Sequence, residues 1–235
     1  MDLIECKDKI INRHPWELSR TECLIKEIKK YHIGNSIIDI GCGDSYFDYR
    51  LMEQVDNINK FYGIDIYADE EIKDGKYCVL NDYSKLKNKK FDTVIMFDVL
   101  EHIEDDIDFL KNTVNNLLKD KGKIIMTVPA YQSLFSKHDV KLKHFRRYNI
   151  KTLREVAEKS SFKVINYHYF YFSLIPLRII SKLLNRDNKI NNWSKNEKHI
   201  CTKIVKNILN LDYAIGKKLN KFSSGLSLFV VLEKK

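Results

Sequence analysis

Cysteine is sparse and carries no pattern. The five cysteines, Cys6, Cys23, Cys42, Cys78 and Cys201, are odd in number and scattered, with no CxxC pair. Neither a disulfide framework nor a zinc site is expected, and a reducing cytoplasm fits. Long apolar runs are missing as well. The most apolar stretch, YFYFSLIPL at residues 169–177, is far short of the roughly 20 residues that a spanning helix needs. The N-terminus, MDLIECKDKIINRH, mixes acids with bases and has no apolar region of the kind a signal peptide carries. Repeats and low-complexity tracts are absent. What remains is a soluble chain whose 235 residues, 44% of them hydrophobic, suffice for one sizeable core.

Seven short runs have the β-rich character of strands: SIIDI (36–40), KFYGIDI (60–66), KYCVL (76–80), FDTVIMFD (91–98), GKIIMTV (122–128), FKVINYHYF (162–170) and LSLFVVLE (226–233). Between them lie helical patterns, such as Leu110, Val114, Leu117 and Leu118 behind the acids Glu104, Asp105 and Asp106, which a helix N-terminus favours. Ser19 and Glu22 read as a capping box before a first helix carrying Leu24, Ile25, Ile28 and Tyr31. Strands alternating with helices predict βαβ units. The expected fold is α/β: a Rossmann-like, seven-stranded, mostly parallel sheet with helices on both faces and a helical insertion before the last strand. As one domain, it divides into a helical N-terminal segment (1–34), a core (35–171), the insertion (172–224) and the last strand (225–235). Ile179, Ile180, Leu183 and Leu184 form one apolar stripe of the insertion, and Ile200, Ile204, Ile208, Leu211, Ile215 and Leu219 a second, joined by the polar NRDNKINNWSKN.

Net charge is +9, and residues 178–221 carry eleven Lys/Arg against three acids. Two explanations stand side by side: contact with phosphates or an anionic membrane surface, or a general compositional bias toward lysine.

The segment IIDIGCGDSYF (37–47) places a glycine turn between the first strand and the next helix. Gly41 and Gly43 let a ligand approach the main chain closely. Asp65 ends the following strand, where an acid can accept from both hydroxyls of a ribose. The dinucleotide fingerprint nevertheless fails, because GCGDSY sets Tyr46 where a third glycine belongs. Asp39 would also repel a pyrophosphate. S-adenosylmethionine has an adenosine, a sulfonium and an amino group but no phosphate, so it accounts for both acids.

On these residues the chain resembles the class I S-adenosylmethionine-dependent methyltransferases. Their first motif, (D/E)xGxGxG, appears as Asp39-Ile40-Gly41-Cys42-Gly43-Asp44-Ser45, with Ser45 in place of the last glycine. Further matches follow in order: Asp65 with Ile66 after the second strand, Asn81-Asp82 after the third, and FDTVIMFDVLEHI with Asp98, Glu101 and His102. Residues 128–153 are similar to a branch with an HD…HxRRY pattern, here Phe135, Ser136, His138, Asp139, His144, Arg146, Arg147 and Tyr148. His14, Trp16, Arg20, Gly225, Ser227 and Leu228 match the same branch.

The resemblance implies S-adenosylmethionine as cofactor, held by Asp39, Gly41, Cys42, Gly43, Asp65, Ile66, Asn81, Asp82 and Asp98. Methyl transfer from a sulfonium depends chiefly on holding two reactants in line. His102 is the candidate base, with His138 and His144 as further catalytic candidates; Glu101 and His102 could instead merely orient the following turn. His138, Asp139 and His144 could in principle ligate a divalent ion, but nothing fixes them on one helix face, so no metal is expected. Arg146, Arg147 and Tyr148 suit a carboxylate or phosphate on the acceptor, against ordinary surface charge or an internal pair with Asp139. Trp16 is either a lid on the substrate or part of the core.

The expected acceptor is a small molecule or a lipid-linked saccharide, methylated on oxygen, with peripheral contact at the inner membrane surface and no nucleic-acid partner. A nucleic-acid methyltransferase is the enzyme rival, but FDVLEH stands where an amino-methylating (D/N/S)PP(Y/F/W) motif would be. An inactive cofactor-binding regulatory subunit is the rival from another class.

Overall fold

The computed structural model describes residues 13–68, 71–183, 196–218 and 224–235. The chain enters through α1 (Pro15–Ile28) and β1 (Ser36–Ile40), then α2 (Tyr46–Met52), β2 (Lys60–Ile64), β3 (Ile72–Asp74), β4 (Tyr77–Leu80) and β5 (Phe91–Phe97). A helical stretch follows, made of α3 (Asp106–Asp108), a π-helical segment (Phe109–Val114) and α4 (Asn115–Leu117). Then come β6 (Leu118–Pro129), α5 (Lys137–Lys141), α6 (Ile150–Lys159), β7 (Phe162–Phe170), α7 (Leu174–Leu183), α8 (Ile200–Lys218) and β8 (Ser227–Lys234).

The strands form one sheet in the order β3-β4-β2-β1-β5-β6-β8-β7. Pairs β1–β2, β1–β5, β2–β4 and β5–β6 are parallel, whereas β8 runs antiparallel between β6 and β7. The fold is therefore the expected α/β, Rossmann-like, mostly parallel class, with eight strands rather than seven. The additional strand, Ile72–Asp74, pairs antiparallel with β4 at the sheet edge. All three of its residues are exposed, so it shows none of the apolar alternation by which a strand is read from sequence.

β1 is buried at four of five positions, as a central parallel strand covered on both faces must be. Side chains alternate between two cores. Ile38, Ile40, Ile124, Met126, Val230 and Leu232 pack on one face with Leu110, Val114, Leu153 and Ala157. Ile37, Ile125, Phe229 and Val231 pack on the other with Leu24, Ile28, Leu51 and Leu209 from α1, α2 and α8.

The first helix begins earlier than a Ser19 capping box implies. His14 is its N-cap, accepting from the Trp16 amide at 3.1 Å, with Pro15 at the first helical position. Ser19 is buried mid-helix and bonds the Tyr171 hydroxyl at 3.0 Å. Acids do cap the stretch after β5, where Asp105 accepts from the Asp108 amide at 2.9 Å. In the insertion, α7 and α8 cover both apolar stripes except Leu184 and Leu219. These two and most of the polar linker lie outside the described residues.

Strand order reverses on either side of β1 and β5, which opens a crevice beyond their carboxyl ends. Both the glycine turn and the segment containing Asp98, Glu101 and His102 emerge there.

Candidate active site

The glycine turn is held from below by the neighbouring strand. The amide of Gly41 donates to Ile64 O at 2.7 Å, and that of Gly43 to Asp65 Oδ2 at 3.0 Å. Gly41 has φ +77°, and a Cβ there would lie 2.6 Å from Val99 Cγ2. Glycine is thus required for both torsion and space. Asp65 also accepts from the Tyr67 amide through Oδ1 at 2.9 Å. Each carboxylate oxygen keeps acceptor capacity beyond that single bond, as ribose hydroxyls need. Ile66 beside it is 62% exposed, an apolar surface open to a base. Asn81 accepts from Lys85 at 3.2 Å, and Asp82 caps the turn Tyr83–Leu86 through the Ser84 amide at 2.8 Å.

Beneath the turn lie two buried carboxyls. Asp39 is 3% exposed and its Oδ1 has no hydrogen-bond partner. Burial, then the neighbouring Asp48, to which it is hydrogen-bonded, push its pKa well above the carboxylate range. Burial likewise raises Asp48 to about 7, against the hydrogen bonds from Asp39 and Tyr77 that pull it down. Tyr77 donates to Asp48 Oδ2 at 2.5 Å. Cys42 is buried against this group, its thiol pushed up by burial and by the nearby acids. Sequence reasoning missed Asp48, because only the fold brings it to Asp39.

The start of α1 covers the same end of the sheet. Arg13 pairs with Glu17 and with Asp44 of the turn, its guanidinium 3.7 Å from the Tyr46 ring centroid. Arg20 meets Asp98 Oδ2 at 2.6 Å and Thr127 Oγ1 at 2.5 Å, and Thr127 donates to Asp98 Oδ1 at 3.0 Å. Asp98 itself has φ +55°, the bend that turns its side chain off the end of β5. Trp16 is half-buried. It packs 6.4 Å from Tyr171 and 5.3 Å from the Arg20 guanidinium, both distances taken from ring centroids.

Past Asp98, Glu101 and His102 form a short 3-10 turn that meets the loop following α5. Glu101 is fully buried, with no hydrogen-bond partner on either carboxylate oxygen. Burial raises its pKa well above the ordinary range, and the charge of Asp98 adds to the effect. The His102 and His144 rings lie 4.6 Å apart at 83°. One ligand atom from each of Glu101, His102 and His144 falls within 4.8 Å of the others. His144 Nδ1 is held by Asp139 Oδ1 at 2.9 Å. Asp139 also receives Arg147 Nε at 2.7 Å, Arg178 Nη2 at 2.9 Å and the Ser136 amide at 2.9 Å. Burial opposes ionisation of Asp139, but these bonds hold its pKa far below the usual range.

Asp139 is thus saturated by protein donors, and His138, Asp139 and His144 do not form the grouping in which a metal was considered from sequence. His144 pairs instead with His102 and Glu101. Arg147 is buried, on Asp139 and Ala130 O. Arg146 binds Asp106 Oδ2 at 3.0 Å and Glu104 O at 2.5 Å. Tyr148 is a core residue, 1% exposed, its hydroxyl 2.7 Å from Asp106 Oδ2. Expecting Tyr148 on the acceptor therefore needs correction: an aromatic ring after two arginines reads as recognition, but this one is consumed by packing.

The family described as "Methyltransferase domain" matches residues 19–167. The chain belongs to this methyltransferase family. It is also 30% identical over 175 residues to an uncharacterized protein of Methanocaldococcus jannaschii, covering 68% of this chain and 73% of the relative. The fold is similar to that of a candidate sarcosine dimethylglycine methyltransferase from Galdieria sulphuraria, with TM-score 0.58, 11% identity, and 96% and 92% of the two chains covered. Similar too is a SAM-dependent methyltransferase from Archaeoglobus fulgidus, with TM-score 0.53, 18% identity, and 93% and 97% covered.

S-adenosylmethionine is the methyltransferase's cofactor, and the residues fit it. A buried carboxyl oxygen without a partner on Asp39 awaits a cation, the cradle at Gly41 admits no side chain, and Asp65 retains capacity for a ribose. Arg13, the base beside the turn, is already neutralised by Glu17 and Asp44, so a pyrophosphate finds no cation there.

Proposed function

We propose that this methyltransferase methylates an oxygen of a small-molecule or lipid-linked saccharide acceptor, in the cytoplasm and at the inner membrane surface. One observation carries the reading: the cluster of Glu101, His102 and His144 stands just past Asp98, at the same strand ends as the glycine turn. When bound, the cofactor supplies an electrophilic methyl on a sulfonium: the acceptor oxygen forms the new C–O bond as the C–S bond breaks toward sulfur. Asp39, Gly41, Gly43, Asp65 and Ile66 hold the nucleoside and the amino group. Arg20, shared between Asp98 and Thr127, offers a cation to the α-carboxylate. An imidazole of the cluster, on His102 or His144, receives the acceptor's proton, with His138 and Arg146 as further contacts to the acceptor and Trp16 over the donor end.

Incubation with labelled S-adenosylmethionine and fractionated extract tests this reading. Label is expected in the sugar or lipid fraction, in an alkali-stable ether. Label confined to RNA or protein would overturn the acceptor class, and no transfer from any fraction would favour a regulatory subunit.

The membrane contact rests on the insertion. Ile200, Ile204, Ile208 and Leu211 of α8 and Leu177, Ile179 and Ile180 of α7 are exposed. Such a face beside lysines suits an interfacial helix pair.

A further inference from the structure

We infer that Glu101, His102 and His144 form a binding site for one divalent first-row transition-metal ion at the acceptor end of the crevice. The inference deepens the proposed reading of this cluster, and it departs from the expectation that no metal is involved.

Geometry is the first ground. Donor atoms of the three side chains lie within 4.8 Å of one another, close enough for a single ion to draw them into coordination. The two imidazoles come from different segments, the turn after β5 and the loop after α5, yet their rings cross at 83° with centroids 4.6 Å apart. Nearly perpendicular rings suit adjacent positions around one centre.

The second ground is independent of spacing. Glu101 is fully buried, and neither carboxylate oxygen has a hydrogen-bond partner. A buried carboxyl without partners is costly unless something compensates it, and a coordinated cation is such a partner. Around it, the other carboxylates of the region are spoken for: Asp98 by Arg20 and Thr127, and Asp139 by Arg147, Arg178 and His144.

The third ground is orientation. Asp139 Oδ1 lies 2.9 Å from His144 Nδ1, which leaves Nε2 as the ligand nitrogen. A carboxylate behind a ligating histidine fixes ring and tautomer in metal sites generally. Here that carboxylate is itself pinned by two guanidinium groups. Two imidazoles and one carboxylate favour Mn, Fe, Co, Ni or Zn over Mg or Ca. Three protein ligands leave positions open, so an acceptor hydroxyl placed there would ionise more easily, its proton passing to solvent. With both imidazoles ligated, the ion would take the place of the imidazole base in the proposed reading.

The test uses the full chain without a polyhistidine tag, stripped with a chelator and titrated with Co²⁺. Visible ligand-field absorption and calorimetry follow the binding. One ion per chain is expected, displaced by Zn²⁺ but not by Mg²⁺. Glu101→Gln and His144→Gln should each weaken Co²⁺ by about 100-fold or more, and Asp139→Asn, which acts through His144, by about 10- to 100-fold. S-adenosylhomocysteine affinity should be retained in each. His102→Gln serves where a Glu101 variant does not fold. No Co²⁺ or Zn²⁺ binding by the folded wild-type chain, or equal binding by the variants, would overturn the site. Metal held by these three residues in a chain that methylates no acceptor would overturn the proposed function and leave the site standing.

Discussion

Asp39 and Asp48 share the interior beneath the glycine turn, with Tyr77 and Cys42 against them and Asp65 and Asp44 nearby. Asp48 titrates at about 7 in the folded chain, whereas an unfolded aspartate titrates at about 4. The native state therefore holds the extra proton across that window, and the pair's contribution to stability falls as pH rises through it. A cationic amino group beside Asp39 favours the ionised form. Cofactor binding near pH 6, about one unit below the Asp48 value, should therefore release a proton. Calorimetry in phosphate and in Tris reads this directly: apparent enthalpies should differ between the buffers, and the difference should shrink in Asp48→Asn. Identical enthalpies in both buffers would count against a cation at Asp39. Asp65 gives a second check. Asp65→Ala removes a charged acceptor worth about 1.5–3 kcal/mol per bond, so S-adenosylhomocysteine affinity should fall at least about 10-fold. An unchanged affinity would sink the ribose assignment. Because Asp65 also holds the Gly43 amide at 3.0 Å, the melting temperature of the variant must be measured alongside.

Among the elements, α1 is the clamp. Arg13, just before it, pairs with Asp44 of the glycine turn, Arg20 within it reaches Asp98 past β5, and its other side carries α8. Lys206 reaches Glu22 at 2.8 Å, Lys217 reaches Glu27 at 2.5 Å, and Asn210 adds a bond to Glu22 at 3.2 Å. Burial works against the Glu22 carboxylate, but bonds from Lys206, Lys26 and Asn210 win and lower its pKa to about 2. Being depressed, it contributes stability above the unfolded value of about 4.3 and loses it as pH falls toward about 2. The group is partly exposed, so a Glu22→Gln and Lys206→Ala double-mutant cycle should give a coupling of no more than about 1 kcal/mol at pH 7. That coupling should vanish in acid. No coupling at neutral pH would mean that α8 docks by packing alone, and one that persists with Glu22 protonated would mean that the pair acts without its charge. None of these pairs was legible in the sequence, where the partners lie far apart. What was legible is local: β7 occupies the predicted 162–170, because its aromatic and β-branched run needs no distant partner to declare itself. The Pro15 start of α1 was also readable, but Ser19 and Glu22 imitate a cap while serving Tyr171 and Lys206.

At the scale of the whole molecule, the sequence carried the class of fold and the identity of the cofactor. Asp39, Gly41, Gly43 and Asp65 sit at strand ends in a fixed order, which a linear reading can follow. The cluster of Glu101, His102 and His144 was harder to read, because its residues are joined only where two loops meet, and Tyr148 and Arg147 are spent on internal bonds. The insertion shows the same limit. Eleven bases between residues 178 and 221 argued for an anionic surface, yet Arg178, Lys182, Lys206 and Lys217 are engaged within the fold. The charge argument is weakened accordingly. The apolar argument is strengthened, since Ile200, Ile204, Ile208 and Leu211 are between 52% and 64% exposed along one side of α8, whose opposite side packs Leu209 and Tyr213 into the core. No helix among the described residues is long and apolar enough to cross a membrane. Binding to anionic liposomes should therefore depend on both terms. Salt near 0.5 M, where screening leaves only a few Å of reach (about 4), should weaken it without abolishing it. Ile204→Asn with Ile208→Asn should weaken it at low salt and abolish it at about 0.5 M, while leaving S-adenosylhomocysteine affinity and melting temperature unchanged. If the double variant instead converts a dimer to a monomer in sedimentation velocity and liposome binding is absent from the start, the face belongs to a second copy of the chain, and the acceptor moves from lipid-linked saccharides to soluble small molecules.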